Sequence, residues 1–248
     1  MKKTFLALIA LAAVALMLCG FVGMPSRTLS DVSPETAAEN ETEPAEENET
    51  DSDDAVYSAL SVTRITSSGT YEFYIPAFSC DSDDAVRLNR EMYLAVYDNV
   101  DRALEDLKET NSFCRSIKYE TYRNGDVVSV LVCMTLDYPC PEYWVMNLNT
   151  ATGKEVDRAA LLAAKGLTEE SFVEMAAEAA EAAFDDVWPS YFNGSSFRAQ
   201  QLAETLAEGR FGEDLPLFLN ASGELCMITP IYQSAGASYA YRVVVVAP

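Results

Sequence analysis

The chain has 248 residues, with 39 acidic and 17 basic side chains, no histidine and a formal net charge of −22. So large a carboxylate excess argues against nucleic acid or anionic lipid headgroups as partners, because affinity for either rests on Lys and Arg meeting phosphate. The lack of histidine removes the commonest general base, every Ser/His or Cys/His nucleophile pair and the commonest metal ligand. No cofactor, metal site or catalytic residue is therefore expected, and the chain reads as a non-enzyme.

Lys2 and Lys3 precede an apolar run from Phe5 to Val22 with no charge before Arg27. Residues 1–23 thus have the pattern of a signal peptide or a membrane anchor. Leu16-Met17-Leu18-Cys19-Gly20 resembles a bacterial lipoprotein box with Cys19 as the lipidated residue. An uncleaved anchor is the alternative, since about 18 to 20 apolar residues can cross a bilayer. Either fate tethers the protein to the extracellular face of the cell membrane through its N-terminus only. Residues 24–56 follow as an acidic stalk: Asp31 to Asp54 holds eleven acidic residues and no basic one. Such a segment buries too little apolar surface to offset its ordering entropy and is expected to be disordered.

From residue 57 the chain is expected to be folded, as an N-terminal part over 57–136 and a C-terminal part over 137–248. "VYSALSVTRI" and "TYEFYIPAF" read as two strands joined at Ser67-Ser68-Gly69. A helix is predicted over 83–109, because Ala85, Leu88, Met92, Val96, Val100, Ala103 and Leu107 recur at steps of three and four. Asp83 and Asp84 are expected to cap its first turn. The hexapeptide DSDDAV here repeats residues 51–56, but Ala85 and Val86 stand where a calcium loop needs ligands and a glycine. A hairpin is predicted around Asn124-Gly125, and "EYWVMNLNT" follows as a further strand. Thr152-Gly153-Lys154 is not a phosphate loop, since Leu148 and Glu155 occupy positions that require Gly and Ser or Thr. It is read as the turn out of that strand, with Gly153 supplying positive φ.

A second helix is predicted from Thr168, with Phe172, Ala176, Ala179, Ala183 and Val187 on its apolar face. Glu170, Glu174, Glu178, Glu181 and Asp185 fall on another face, and no Lys or Arg on the helix answers them. Those five acids are either a solvated face or a docking strip for a basic protein. Trp188, Tyr191 and Phe192 follow in a loop punctuated by Pro189 and Gly194, where they either pack on the core or anchor a partner. A short helix, "RAQQLAETLAEG", precedes the strands "LPLFLN", "ELCMITPIY" and "AYRVVVVA". Val243 to Val246 is expected to be fully buried. Beyond Cys19, Cys80, Cys114, Cys133, Cys140 and Cys226 are irregularly spaced and odd in number, which is not a disulfide framework.

Taken in order, Tyr74-x-Pro76-x-Phe78 before a long helix, "YRNGDVVSVLV", "NLNTATGKEV", "LLAA", an acidic helix, "LFLNASGELCMI" and "AGASYAYRVVVV" resemble a known pair of extracellular modules. These are domain-of-unknown-function families 4163 and 3298, found in a lysozyme-sensing anti-sigma factor and beside peptidoglycan deacetylase domains. The resemblance spans residues 57 to 247. It implies an α+β fold, mostly antiparallel sheet packed by one long helix and a second acidic helix, at the bacterial cell envelope. For some members it also implies lysozyme binding. Only Met1 to Thr4 precede the apolar run, so direct inhibition of a sigma factor is not expected, and a deacetylase would require metal-binding histidine.

Three functions follow as expectations. The first is a non-catalytic, envelope-tethered binding or sensing module for lysozyme, another basic protein or a cell-wall component. The second is a carboxylate-based cell-wall hydrolase with one protonated and one ionised acid. The third is an envelope scaffold with no single ligand.

Overall fold

The computed structural model describes residues 55–109, 114–136, 141–234 and 239–248. Residues 1–23, where a signal peptide or anchor is expected, Cys19, Cys140 and all but the last two residues of the expected acidic stalk lie outside the described residues. Among the described residues no helix is long and apolar enough to cross a membrane. The described residues fall within one compact unit.

Strand β1 (Val56–Thr66) turns into β2 (Gly69–Phe78), paired antiparallel with a bulge between Ser58 and Leu60. Helix α1 (Asp83–Glu109) then crosses one face of the sheet, as a parallel return requires. It leads to β3 (Cys114–Asn124), which pairs parallel with β2 at Glu72–Ser116 and Phe73–Ile117. Strands β4 (Val127–Leu136), β5 (Glu142–Asn149) and β6 (Lys154–Glu155) add antiparallel neighbours, so six strands lie in sequence order. The division expected at residue 137 falls between β4 and β5, neighbours in this sheet.

The predicted stripe of α1 is buried from Ala85 to Ala103, with Leu107 half-buried, against Phe73, Ile75, Val130, Val132 and Leu148. Its cap differs from expectation: Ser82 Oγ, not an aspartate, accepts the Ala85 N–H at 3.2 Å. Asp84 instead accepts the Glu155 N–H at 3.1 Å and lies 3.7 Å from Lys154 Nζ, so it ties the helix start to the turn after β5. Gly153 in that turn has φ +67°, as expected, and a Cβ there would sit 2.6 Å from Ser82 Cβ. Glycine is thus required both for the backbone and for the approach of the turn to the helix cap.

The chain then forms α2 (Arg158–Ala164), α3 (Glu169–Val187), a 3₁₀ turn (Ser190–Phe192) and α4 (Ser196–Thr205). Strands β7 (Leu217–Leu219), β8 (Leu225–Tyr232) and β9 (Tyr239–Ala247) complete an antiparallel sheet in the order β7-β8-β9. The sequence signals α2 through its N-cap, Asp157, whose carboxylate accepts the Ala160 N–H at 2.8 Å ahead of Arg158-Ala159-Ala160-Leu161-Leu162.

Thr168 caps α3 in a capping box with Ser171. The buried row on α3 is Phe172, Ala176, Ala180 and Phe184; the expected Ala179, Ala183 and Val187 flank it half-buried. A strict four-residue step selects one ridge, and that ridge lies on the second sheet beside Leu225, Met227, Val244 and Val246. The other face of the second sheet meets the first sheet through Phe218, Cys226, Ile228 and Leu131. Four layers result: α1, the six-stranded sheet, the three-stranded sheet and α3. The fold is α+β with mostly antiparallel sheet, as expected.

Val243 to Val246 is not fully buried. It belongs to an edge strand, so Val244 and Val246 face α3 while Val243 and Val245 are 41% and 46% exposed. Between the sheets, buried Ser129 donates to Asn147 Oδ1 at 2.7 Å and accepts the Leu219 N–H at 3.2 Å. The Asn147 amide in turn donates to the Leu217 carbonyl at 2.9 Å.

Candidate functional site

Glu170, Glu174, Glu178, Glu181 and Asp185 are all exposed along α3, opposite the row that meets the sheet. The structure adds what the helix sequence alone did not show. Asp185 is in an ion pair with Arg198 of α4, whose guanidinium also lies over the Phe184 ring at 5.2 Å. At the other end Arg158 of α2 grips Glu169 with Nε and Nη2 and stacks on Phe172 at 4.5 Å. Among the described residues, the strip left without an ion pair is therefore Glu170, Glu174, Glu178 and Glu181. Like charges at these spacings cost an isolated helix about 0.2 to 0.5 kcal/mol per pair, and the alanines around them supply helix propensity.

The three aromatic candidates separate. Trp188 is 6% exposed, stacks on Phe184 with centroids 5.1 Å apart, and donates its indole N–H to the Tyr232 carbonyl at 2.9 Å. Its place is in the core, where a partner could not reach the ring without displacing it. Phe192 is half-buried against Trp188 and Phe197. Tyr191, 79% exposed, remains as a surface aromatic.

A cleft of about 640 Å³ opens elsewhere, where the end of β5 meets the 209–216 loop and β9. Glu142, Glu213 and Asp214 bring carboxylates to it, and Trp144, Tyr239 and Tyr241 bring aromatic faces. A second hollow of about 420 Å³ continues between α1, β5 and α2 and shares Tyr143, Trp144 and Glu213 with the first. The sequence predicts only a strand at "EYW"; four aromatics and three acids converge there from segments far apart in the chain, and no local motif announces that. Among the described residues no group of three or more His, Cys, Asp or Glu could hold a metal ion.

The chain is similar to several solved structures, among them one named by its family. A DUF3298 family protein of Pseudomonas aeruginosa is similar in fold. It shares 11% identity over 77% of this chain and 89% of its own, with a TM-score of 0.41. No family model and no curated protein matches the sequence. At that identity and TM-score the neighbour does not establish a family, and it carries no activity over to this chain.

Cys114 and Cys226 are buried, and Cys80 and Cys133 are half-buried. Burial, with the Glu142 carboxylate adding to it, pushes the Cys114 thiol up to about 12; burial also pushes Cys226 up to about 11 and raises Cys133. The Tyr143 phenol at the cleft is pushed up to about 12, chiefly by burial and then by Cys133. Lys118 holds the Glu72 carboxyl below its ordinary range, the reverse of what a proton-donating acid needs.

Proposed function

We propose that this protein is a non-catalytic binding or sensing module, tethered at the outer face of the bacterial envelope, that docks a basic protein such as lysozyme on the acidic face of α3. One observation carries the reading: Glu170, Glu174, Glu178 and Glu181 are exposed in a continuous strip on a helix without a basic residue. Maintaining such a strip costs helix stability and gives a cationic surface complementary charge. Tyr191, beyond the end of α3, supplies an exposed aromatic for contact. The test is calorimetric titration with lysozyme at low and high salt. Glu174→Lys, Glu178→Lys and Glu181→Lys together are expected to abolish binding without unfolding the chain, because these side chains touch solvent. Unchanged affinity would remove the strip from the interface, and binding that vanishes with salt would reduce it to general charge attraction.

A second reading, a cell-wall hydrolase, draws on Glu142, Glu213 and Asp214 lining the 640 Å³ cleft beside Trp144 and Tyr241. Release of reducing ends from purified peptidoglycan, lost on Glu213→Gln, would replace the binding reading with this one.

A further inference from the structure

β5 is paired along its whole length on one side and along only its last two residues on the other. β4 covers it from Glu142 to Asn149, whereas β6 meets only Leu148 and Asn149. The direction of the uncovered backbone groups follows from the covered ones. The carbonyls of Asn147 and Asn149 accept the N–H groups of Val156 and Gly153 on the β6 side, at 3.0 and 2.8 Å. Alternate residues of an antiparallel strand direct both N–H and C=O to the same side. Val145 and Tyr143 therefore direct theirs to the side where, among the described residues, no strand lies. This edge opens into the two hollows, which follow β5 one after the other and share its Tyr143 and Trp144.

The walls of this groove select the occupant by charge. Glu142, Glu213 and Asp214 are exposed at one end, and Glu155 and Asp157 at the other. Of the cations nearby, Arg87 pairs with Glu91 and Glu155, Arg158 pairs with Glu169, and Arg210, which lines the cleft beside Glu213 and Asp214, donates to the Glu204 carbonyl at 3.0 Å; three carboxylates therefore face one guanidinium at that end. The apolar floor comes from Leu88, Met92 and Leu161. An unpaired strand edge with an apolar floor and acidic rims fits an extended polypeptide whose alternate side chains are apolar and basic. It disfavours the chain's own acidic segment over 31–54, which the rims would repel.

We propose that the open edge of β5 is a docking groove in which an extended basic segment of a partner protein adds as a strand beside Tyr143 and Val145. The proposal rests on the basic-partner reading above but on residues separate from the α3 strip. The uncovered stretch runs from Glu142 to Met146, about 17 Å of strand, and within it Tyr143 and Val145 offer their N–H and C=O groups.

The test uses the full-length chain and a ten-residue peptide alternating Lys and Val, with binding followed by the tryptophan fluorescence to which Trp144 in the groove contributes. Saturable binding is expected. Methylating the peptide nitrogens that face β5 should weaken it about tenfold or more, because two ladder hydrogen bonds are lost while the charge is kept. The Glu174→Lys, Glu178→Lys, Glu181→Lys chain should bind the peptide as wild type does. Equal affinity of the methylated peptide would reduce the interaction to charge attraction and overturn the proposal. Loss of peptide binding in the α3 variant would also overturn it, by moving the contact to the helix while leaving the basic-partner reading intact. Failure of the peptide to bind, or preference for a peptidoglycan fragment over it, would overturn it as well.

Discussion

The packing of the turn after β5 onto the start of α1 predicts a measurable asymmetry between two glycines. Gly125 and Gly153 have nearly the same backbone, φ +60° and +67°, so Ala at either position pays for a left-handed conformation, about 1 to 2 kcal/mol. Their surroundings differ. A Cβ at Gly125 meets nothing within 4 Å, whereas at Gly153 it would lie 2.6 Å from Ser82 Cβ and 2.9 Å from Ser82 Oγ. Ser82 would have to move, and it caps α1. Loss of a cap costs about 1 kcal/mol and forced overpacking about 1 to 3. Gly153→Ala is therefore expected to destabilise by about 3 kcal/mol or more, and Gly125→Ala by about 1 to 2. Urea unfolding followed by tryptophan fluorescence measures both. Ser82→Gly removes the colliding atoms at a cost of a few tenths over other caps. In that background the Gly153→Ala loss should fall to the Gly125→Ala level. Equal losses at the two glycines in the wild-type background, or strict additivity with Ser82→Gly, would refute the close approach.

Trp188→Ala should destabilise by about 3 to 5 kcal/mol, and Trp188→Phe by about 1 to 3 through the stranded Tyr232 carbonyl, whereas Tyr191→Ala should stay within about 0.5 in the same assay. Glu72 has a folded-state pKa below its unfolded value, so its pairing stabilises above the ordinary Glu range and is lost as pH falls through the folded value. Thermal unfolding of Glu72→Gln should show a deficit near neutral pH that closes on acidification. The deficit should be small and should shrink with salt, because the Lys118 side chain is half exposed. Cys114 and Cys226, raised by burial to about 12 and 11, should react with Ellman's reagent near pH 8 only as fast as the chain opens; rapid labelling of both in the folded protein would contradict their burial.

The elements legible in the sequence are those whose signal is local. The hairpin at Asn124-Gly125 and the span of α1 follow from turn chemistry and a seven-position apolar stripe. Where two local signals competed, the structure was needed. Ser82 took the cap from Asp83 and Asp84 because Asp84 had a nearer use, at the Glu155 N–H. Ala180 displaced Ala179 from the buried row because neighbouring alanines are indistinguishable until a partner surface selects the ridge. Val243 and Val245 lie open because edge position is a property of the sheet, which four consecutive valines do not encode. The acidic strip was legible as a periodicity, but its shortening by Arg198 was not, since that partner comes from another helix. The groove along β5 was not legible at all. It is made by where β6 stops, and by a loop some 60 residues further along the chain.

The polar contact between the sheets has a mechanical meaning. Ser129 and Asn147 sit opposite each other on β4 and β5 and engage the backbone on either side of Phe218 in β7. Apolar surfaces alone tolerate sliding, but a shift of β7 by one residue would strand both a carbonyl and an N–H without water to replace their partners. The two sheets are keyed rather than greased. A force or ligand that displaces one is transmitted to the other, so whatever grips the edge of β5 also holds the sheet on which α3 is mounted.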